Sequence, residues 1–305
     1  MVIGRVLTWL RPKLSLIFEV TNACNLRCPF CYVIREDRLQ EQHIPLDAYE
    51  RILRTYRPLY LQMTGGEATV HPQFIELLKI ASKYVLELQV STNGILLEKY
   101  INQFTALPKI PTIGISLDAP NELHNTIRNR KGLFQRVLMN IRLLKQHNIP
   151  HALAMTVFGK DDIPNLPEGN LELVEDMIAF CEKLQISVNI QPFSPAKKAT
   201  RIALGKKLLQ SKSQYIINSV PYRKLLITGN WFALSKTNQC RYNWTNVSIN
   251  SKGRQLPTFP NSCYFCHECS KCYYSCVWEP SLITSRQFLP TLCSFLKQGI
   301  SLHIL

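Results

Sequence analysis

Thr21-Asn-Ala-Cys-Asn-Leu-Arg-Cys-Pro-Phe-Cys-Tyr32 is the stretch on which the reading of this chain turns. It sets Cys24, Cys28 and Cys31 in C-x3-C-x2-C spacing, directly after the apolar run Leu14–Val20. Three thiolates on one short loop cannot complete a four-ligand site. Iron–sulfur cubanes prefer thiolate ligands and take four of them. Three protein ligands would leave one iron open, as a catalytic metal keeps one position free for its reactant. The competing reading is a buried or disulfide-forming cysteine trio.

Working outward, short β-rich runs alternate with amphipathic helices over residues 13–192. The expected strands are Leu14–Val20, Tyr60–Thr64, Leu86–Ser91, Thr112–Leu117, Ala152–Val157 and Ser187–Gln191. The expected helices are Leu46–Tyr56, Pro72–Lys83, Leu133–Gln146 and Leu171–Leu184. In the third of these, Phe134, Val137, Leu138, Ile141 and Leu144 share one face. Strand–helix units in series imply parallel strands joined by helical crossovers. Near-continuous apolar strands fit a sheet covered by helices. The distinctive segments fall at strand ends: the cysteine loop, Gly65-Gly66-Glu67, Ser91-Thr92-Asn93-Gly94, Ser116-Leu-Asp118 and Gln191-Pro192. Reactive residues of βα-barrels sit at that end. Cys181 lies on the apolar stripe Leu171, Val174, Ile178 and reads as core.

The cysteine loop, its place after a strand and Phe30 before the third cysteine together resemble the signature of the radical SAM superfamily. The resemblance implies an α/β fold, a partial (β/α)6 TIM-like barrel. It implies a 4Fe–4S cluster on Cys24, Cys28 and Cys31, with S-adenosylmethionine (SAM) chelating the open iron. An electron from that cluster then cleaves SAM to methionine and a 5′-deoxyadenosyl radical, which abstracts hydrogen from a substrate. It further implies roles for cofactor-binding residues. Phe30 lies beside the adenine. Gly65 and Gly66 allow close backbone approach, and Glu67 accepts from the methionine ammonium. Asn93 is a ribose partner or a turn residue. Ser116 faces SAM, Arg128 pairs with the SAM carboxylate, with Arg130 as a rival, and Gln191 closes the adenine pocket. The catalytic group acting on substrate is not assigned.

A second cysteine block follows: Cys240, Cys263, Cys266, Cys269, Cys272, Cys276 and Cys293. Cys266, Cys269, Cys272 and Cys276 give the ferredoxin-like C-x2-C-x2-C-x3-C, with Val277 where that run has proline. Cys263, Cys266, Cys272 and Cys276 instead resemble the SPASM or twitch extension of radical SAM peptide maturases. That extension carries auxiliary 4Fe–4S clusters. Cys240 ahead of Gly253 fits it, and Cys293 is a candidate closing ligand. The cysteine expected after the glycine falls at Thr258, so one or two auxiliary clusters remain open, with a zinc knuckle as the alternative. The organisation read from this is a barrel over 1–192, a basic, partly helical linker over 193–239 broken by Pro195 and Pro221, and a small cysteine-rich C-terminal domain over 240–305.

The 305 residues carry a formal net charge of +15 and eleven cysteines. An odd count without a secretion signal argues against a disulfide scaffold and for metal binding in a reducing cytoplasm. No transmembrane segment is expected, since no run approaches about 18 apolar residues. The basic balance suggests an anionic partner (an acidic peptide, a small anionic substrate such as a phosphorylated molecule, a nucleic acid or an anionic membrane surface), with a solvated basic helical face as the competing reading; a flavodoxin- or ferredoxin-like reducing partner is expected alongside. The leading expectation is a peptide-oxidising or cross-linking maturase. Against it, the first strand opens near residue 14, leaving no separate peptide-recognition domain ahead of the barrel. The alternatives are a radical SAM enzyme for a small-molecule or lipid-linked metabolite, and a non-catalytic iron–sulfur or zinc protein that binds nucleic acid. Nucleic acid is the less favoured partner, because an intact Glu67 and the three-cysteine loop point to catalysis.

Overall fold

The computed structural model describes residues 15–31, 41–163, 166, 168–193, 196–229 and 246–254. Its frame is one seven-stranded sheet in the order β6-β5-β4-β3-β2-β1-β7. The strands are β1 Ser15–Thr21, β2 Tyr60–Gly65, β3 Glu87–Thr92, β4 Thr112–Ser116, β5 His151–Val157, β6 Val188–Pro192 and β7 Asn246–Ile249. All pairings are parallel. β6 and β7 are not paired with each other, so the sheet is an open, partial barrel. Every strand therefore ends on the same rim.

β1 shows why a parallel sheet forms. Leu16, Ile17, Phe18 and Val20 are all buried, although successive side chains point to opposite faces. Helices supply the outer cover. α1 (Leu46–Tyr56) buries Tyr49 and Leu53, one turn apart. α2 (Phe74–Ala81) buries Phe74, Leu77, Leu78 and Ala81. The short α3 (Ile101–Thr105) and α4 (Leu123–Ile127) follow β3 and β4. α5 (Leu133–Gln146) buries Phe134, Val137, Ile141 and Leu144. α6 (Val174–Leu184) carries Cys181, which is fully buried in the main core as expected.

The six expected strands all form, each displaced by a residue or two at most. Two features differ from the sequence reading. β7 pairs with β1 from Ser15↔Asn246 to Phe18↔Ile249. Four residues are too short a run for periodicity to announce a strand. Pro221 does not break a helix but opens one. α7 (Lys198–Gln210) is followed by α8 (Val220–Thr228), with Pro221 in its first turn and the Ser219 hydroxyl accepting from Tyr222 N. A proline at that position gives up only an N–H with no intrahelical partner. Cys240, Cys263, Cys266, Cys269, Cys272, Cys276 and Cys293 lie outside the described residues.

Candidate functional site

The cysteine loop leaves the end of β1 and is held from below by residues 41–44. Thr21 Oγ1 donates to Gln42 O at 3.0 Å, Asn22 N donates to Gln42 O at 3.0 Å, and Ile44 N donates to Val20 O at 3.0 Å. Ala23 N donates back to Thr21 Oγ1 at 3.0 Å. Within the loop, Leu26 N points at Cys24 Sγ (3.4 Å) and Cys31 N donates to Cys28 O (3.0 Å). Cys28 is buried, while Cys24 and Cys31 are half-buried. Burial pushes the Cys24 thiol up to about 12 and the Cys28 thiol up to about 11. Negative charge on Glu67 and on the sister sulfurs adds to the rise at Cys24. Such sulfurs are thiolates at neutral pH only with a cation among them.

The Gly65-Gly66-Glu67 segment is the second wall. A β-carbon on Gly65 would lie 2.2 Å from Thr21 O, and one on Gly66 2.4 Å from Ala23 O. Gly65 also has φ +147. Gly66 N donates to Thr21 O (2.8 Å) and Glu67 N to Ala23 O (2.9 Å). The two glycines thus let this backbone lie flush against the base of the cysteine loop, a need that exists before any ligand is considered.

Glu67 is 3% exposed. Its Oε1 accepts from Thr69 N (3.2 Å), Thr69 Oγ1 (2.5 Å) and Thr92 Oγ1 (2.7 Å), and its Oε2 from Asn93 N (2.7 Å). All four donors are neutral. No cation pairs with this carboxylate among the described residues. Desolvation by burial raises its pKa against the opposing pull of those hydrogen bonds.

Asn93 is buried, with both side-chain ends engaged. Its Nδ2 donates to Asn25 Oδ1 of the cysteine loop (2.8 Å), and its Oδ1 accepts from Ile95 N (3.0 Å). Ser116 ends β4, half-buried.

Beyond it, Asp118 is fully buried and accepts Arg128 Nε at 2.6 Å on Oδ2 and Thr156 N at 3.0 Å on Oδ1. The Arg128 guanidinium carbon stands 5.3 Å from the centre of the Phe30 ring. Arg128 O also receives Cys28 Sγ at 3.7 Å. Burial acts to lower the Arg128 pKa, but Asp118 and the nearby sulfurs outweigh it and hold the group charged. Arg130 is exposed and points its main-chain N to Asn125 O.

Phe30 completes the loop's other side. It packs against Phe158 (5.2 Å between ring centres) and Phe193 (6.5 Å), and belongs with a small apolar cluster that includes Ile127 and Ile163. Gln191 pairs in register with Thr156 near the end of β6, half-buried. The structure therefore gathers the cysteines, Glu67 and Asn93 on one side, and the cysteines, Arg128 and Phe30 on the other.

Thr69, Thr92, Asn25, His124 and Asn170 were not singled out from sequence. Asn170 Nδ2 donates to Asp118 O (2.7 Å) and Thr156 O (2.9 Å). His124 Nδ1 accepts from Asp118 N (3.1 Å), and its buried Nε2 has no hydrogen-bond partner. Burial lowers the His124 pKa to about 4, so the ring is neutral. Only Thr92 carried a local signal, as the hydroxyl beside Asn93 at the end of β3.

An open parallel barrel with a three-thiol loop and a buried acid at its strand ends defines a class. The radical SAM superfamily profile matches residues 18–181, more than half the chain, and the chain belongs to that superfamily. Family membership brings a 4Fe–4S cluster and SAM, and makes the protein an enzyme. No three His, Cys, Asp or Glu side chains among the described residues converge on a point for one metal ion. A cubane asks for less convergence, because each iron takes its own thiolate. Three neighbouring sulfurs whose buried charge needs a counter-cation fit that donor set.

Among curated relatives, the chain is 35% identical over 152 residues to the antilisterial bacteriocin subtilosin biosynthesis protein AlbA of Bacillus subtilis, covering 47% of this chain and 33% of AlbA. It is 30% identical over 174 residues to the sporulation killing factor maturation protein SkfB of the same organism, covering 55% and 39%. The chain thus spans well under half the length of either relative. Among solved structures, SuiB of Streptococcus suis bound to its precursor peptide SuiA superposes with TM-score 0.66 at 17% identity, covering 91% of this chain and 67% of SuiB. That likeness is one of fold. No helix of the described residues is long and apolar enough to cross a membrane.

Proposed function

We propose that this chain is a SPASM-type radical SAM maturase whose substrate is a peptide, which it oxidises or cross-links. The carrying observation is Glu67, buried and with no cation partner among the described residues, on the same segment that docks the cysteine loop. A carboxylate that burial disfavours, beside three sulfurs able to hold a cluster, has the chemistry of an ammonium site. Cys24, Cys28 and Cys31 hold the cluster. Glu67 takes the methionine ammonium of SAM, Arg128 its carboxylate, and Phe30 the adenine. Asn93, Ser116 and Gln191 line the remainder, and Gly65 and Gly66 fix the wall that carries Glu67. When bound, the cluster supplies the electron that cleaves SAM to methionine and a 5′-deoxyadenosyl radical. The protein orients SAM, and the apolar wall of Phe30, Phe158 and Phe193 keeps water away from it.

The peptide reading is supported by the printed roles of AlbA and SkfB in making a bacteriocin and a killing factor, and by the +15 charge, which suits an acidic peptide. Cys240, Cys263, Cys266, Cys269, Cys272, Cys276 and Cys293 hold one or two auxiliary 4Fe–4S clusters. Such clusters would supply an acceptor for the electron lost on substrate oxidation, and a flavodoxin- or ferredoxin-like protein would be the source of the electron for the cluster on Cys24, Cys28 and Cys31. The site of action is the cytoplasm.

The test is anaerobic incubation of the reconstituted chain with SAM, dithionite and short acidic peptides, drawn first from any short reading frames that neighbour its gene. The expected result is 5′-deoxyadenosine together with a peptide lighter by two hydrogens per oxidation or cross-link. 5′-Deoxyadenosine formation with the peptide unchanged, but a small metabolite consumed instead, would overturn the peptide assignment and keep the SAM site.

A further inference from the structure

We infer that Asp118 is a positioning residue that fixes the Arg128 guanidinium so that its uncommitted Nη edge meets the carboxylate of SAM. The inference rests on the reading of this rim as a SAM site and adds a residue to it.

Every polar atom of Asp118 has a fixed partner. Thr156 N holds Oδ1, Arg128 Nε holds Oδ2, the main-chain N donates to His124 Nδ1, and the main-chain O accepts from Asn170 Nδ2. The carboxylate is fully buried and cannot turn to another cation. His124 Nδ1 comes within 4.0 Å of Oδ2, but that nitrogen is already an acceptor for Asp118 N, so the ring brings no positive charge. Arg128 is therefore the counterion of Asp118, and Asp118 in turn spends only one of the five N–H donors of Arg128. The remaining Nη donors have no hydrogen-bond partner among the described residues. A second contact restrains the group: its guanidinium carbon lies over the Phe30 ring, 5.3 Å from the ring centre. A guanidinium held at Nε by Asp118 and set over the Phe30 ring keeps its Nη fork for a bidentate carboxylate partner.

The geometry also dictates the informative substitution. Two donors, Thr156 N–H and Arg128 Nε–H, converge on the Asp118 side chain, and a carboxylate offers two acceptor oxygens. An amide of the same shape offers one oxygen and two further donors. Asp118→Asn can therefore satisfy one of the two donors, and it sets an NH2 group against the other.

The experiment measures the dissociation constants of SAM and of decarboxylated SAM on the anaerobically reconstituted, unreduced full chain. The variants are Asp118→Asn, Asp118→Glu, Arg128→Gln and the double Asp118→Asn/Arg128→Gln, with iron content alongside. The parent should prefer SAM over its decarboxylated analogue. Arg128→Gln should remove that preference and weaken SAM binding about ten- to a hundred-fold. Asp118→Asn should do nearly the same with iron content unchanged. The double variant should be no weaker than Arg128→Gln alone, the non-additivity of two residues acting as one. Asp118→Glu, which restores both acceptors, should recover part of the preference, and it carries the test with Arg128→Gln if Asp118→Asn does not fold. Additive losses, or an Asp118→Asn chain that still discriminates the two ligands, would overturn the positioning role. Arg128→Gln discriminating as well as the parent would overturn it too. A parent chain that binds neither ligand would instead remove the SAM-site reading beneath it, and the inference with it.

Discussion

Glu67 and Arg128 flank the same cysteine loop, the first buried and the second half-buried, but their surroundings are opposite. Glu67, on the β2–β3 side, has four neutral donors and no cation among the described residues. Arg128, on the β4–β5 side, has its charge met by Asp118 and keeps spare donors. One side has an unbalanced charge and the other has unspent hydrogen bonds. A zwitterionic amino-acid head group complements both at once, with its ammonium toward Glu67 and its carboxylate toward Arg128. The two sides also differ in what removal would cost. The β2–β3 side is tied to the loop through backbone, while the β4–β5 side reaches it mainly through side chains.

The largest effect removes what both sides flank. Replacing Cys24, Cys28 and Cys31 together by Ala should abolish 5′-deoxyadenosine formation and lower iron content by about four per chain, while cysteines in the second block keep theirs. Unchanged SAM cleavage in that variant would end the comparison, because neither Glu67 nor Arg128 would then border a cluster.

Next comes the backbone tie. Gly66→Ala would put a methyl 2.4 Å from Ala23 O and 2.6 Å from Asn22 O, both main-chain atoms that cannot swing aside. The expected cost is about 2–3 kcal/mol, read as a fall in the denaturation midpoint of the chain without cluster. Loss of SAM binding with no loss of stability would mean that the glycine serves the ligand and not the loop.

Much of this architecture is legible in the sequence. The runs at Leu14–Val20, Tyr60–Thr64 and Thr112–Leu117 read as strands because each carries one apolar face (Leu16, Phe18 and Val20; Leu61 and Met63; Ile113, Ile115 and Leu117), and position at a strand end singles out Glu67 and Asn93. What sequence could not show was who satisfies whom. Thr69 and Thr92 are unremarkable hydroxyls until folding aims both at Glu67. Asp118 stood out in its motif, but its pairing with Arg128 depends on how the chain turns through α4. Pro221 misled because a proline that stops one helix also suits the first turn of the next. β7 escaped because Asn246–Ile249 becomes a strand only by lying against β1.

A smaller effect separates the two charges by pH. Burial raises the Glu67 pKa, so the folded chain holds that proton more tightly than the unfolded one. Its stabilising contribution is present at low pH and is lost as pH rises from the ordinary glutamate value of about 4.3 through the folded value. An ammonium ligand needs the ionised form, so SAM binding should release a proton, and affinity should rise with pH across the same window. Glu67→Gln should flatten both profiles and weaken SAM binding about ten-fold or more. Isothermal titration in buffers of different ionisation enthalpy reads the proton directly. A pH-independent affinity in the parent would place the ammonium elsewhere.

The smallest effect tests whether Asn93 belongs to the ligand or to the scaffold. Its Oδ1 closes a turn onto Ile95 N, and its Nδ2 crosses to Asn25 on the cysteine loop. One Nδ2 hydrogen remains for a ribose hydroxyl, so the two roles are compatible but not equal in cost. Asn93→Ala breaks two neutral hydrogen bonds and should lower stability by about 1–3 kcal/mol, at about 1 kcal/mol for each. SAM affinity should change only a few-fold, since the main-chain N of Asn93 still holds Glu67. If affinity instead fell a hundred-fold with the denaturation midpoint unmoved, Asn93 would be a primary ligand contact. The β2–β3 side would then grip SAM by its sugar as well as its ammonium.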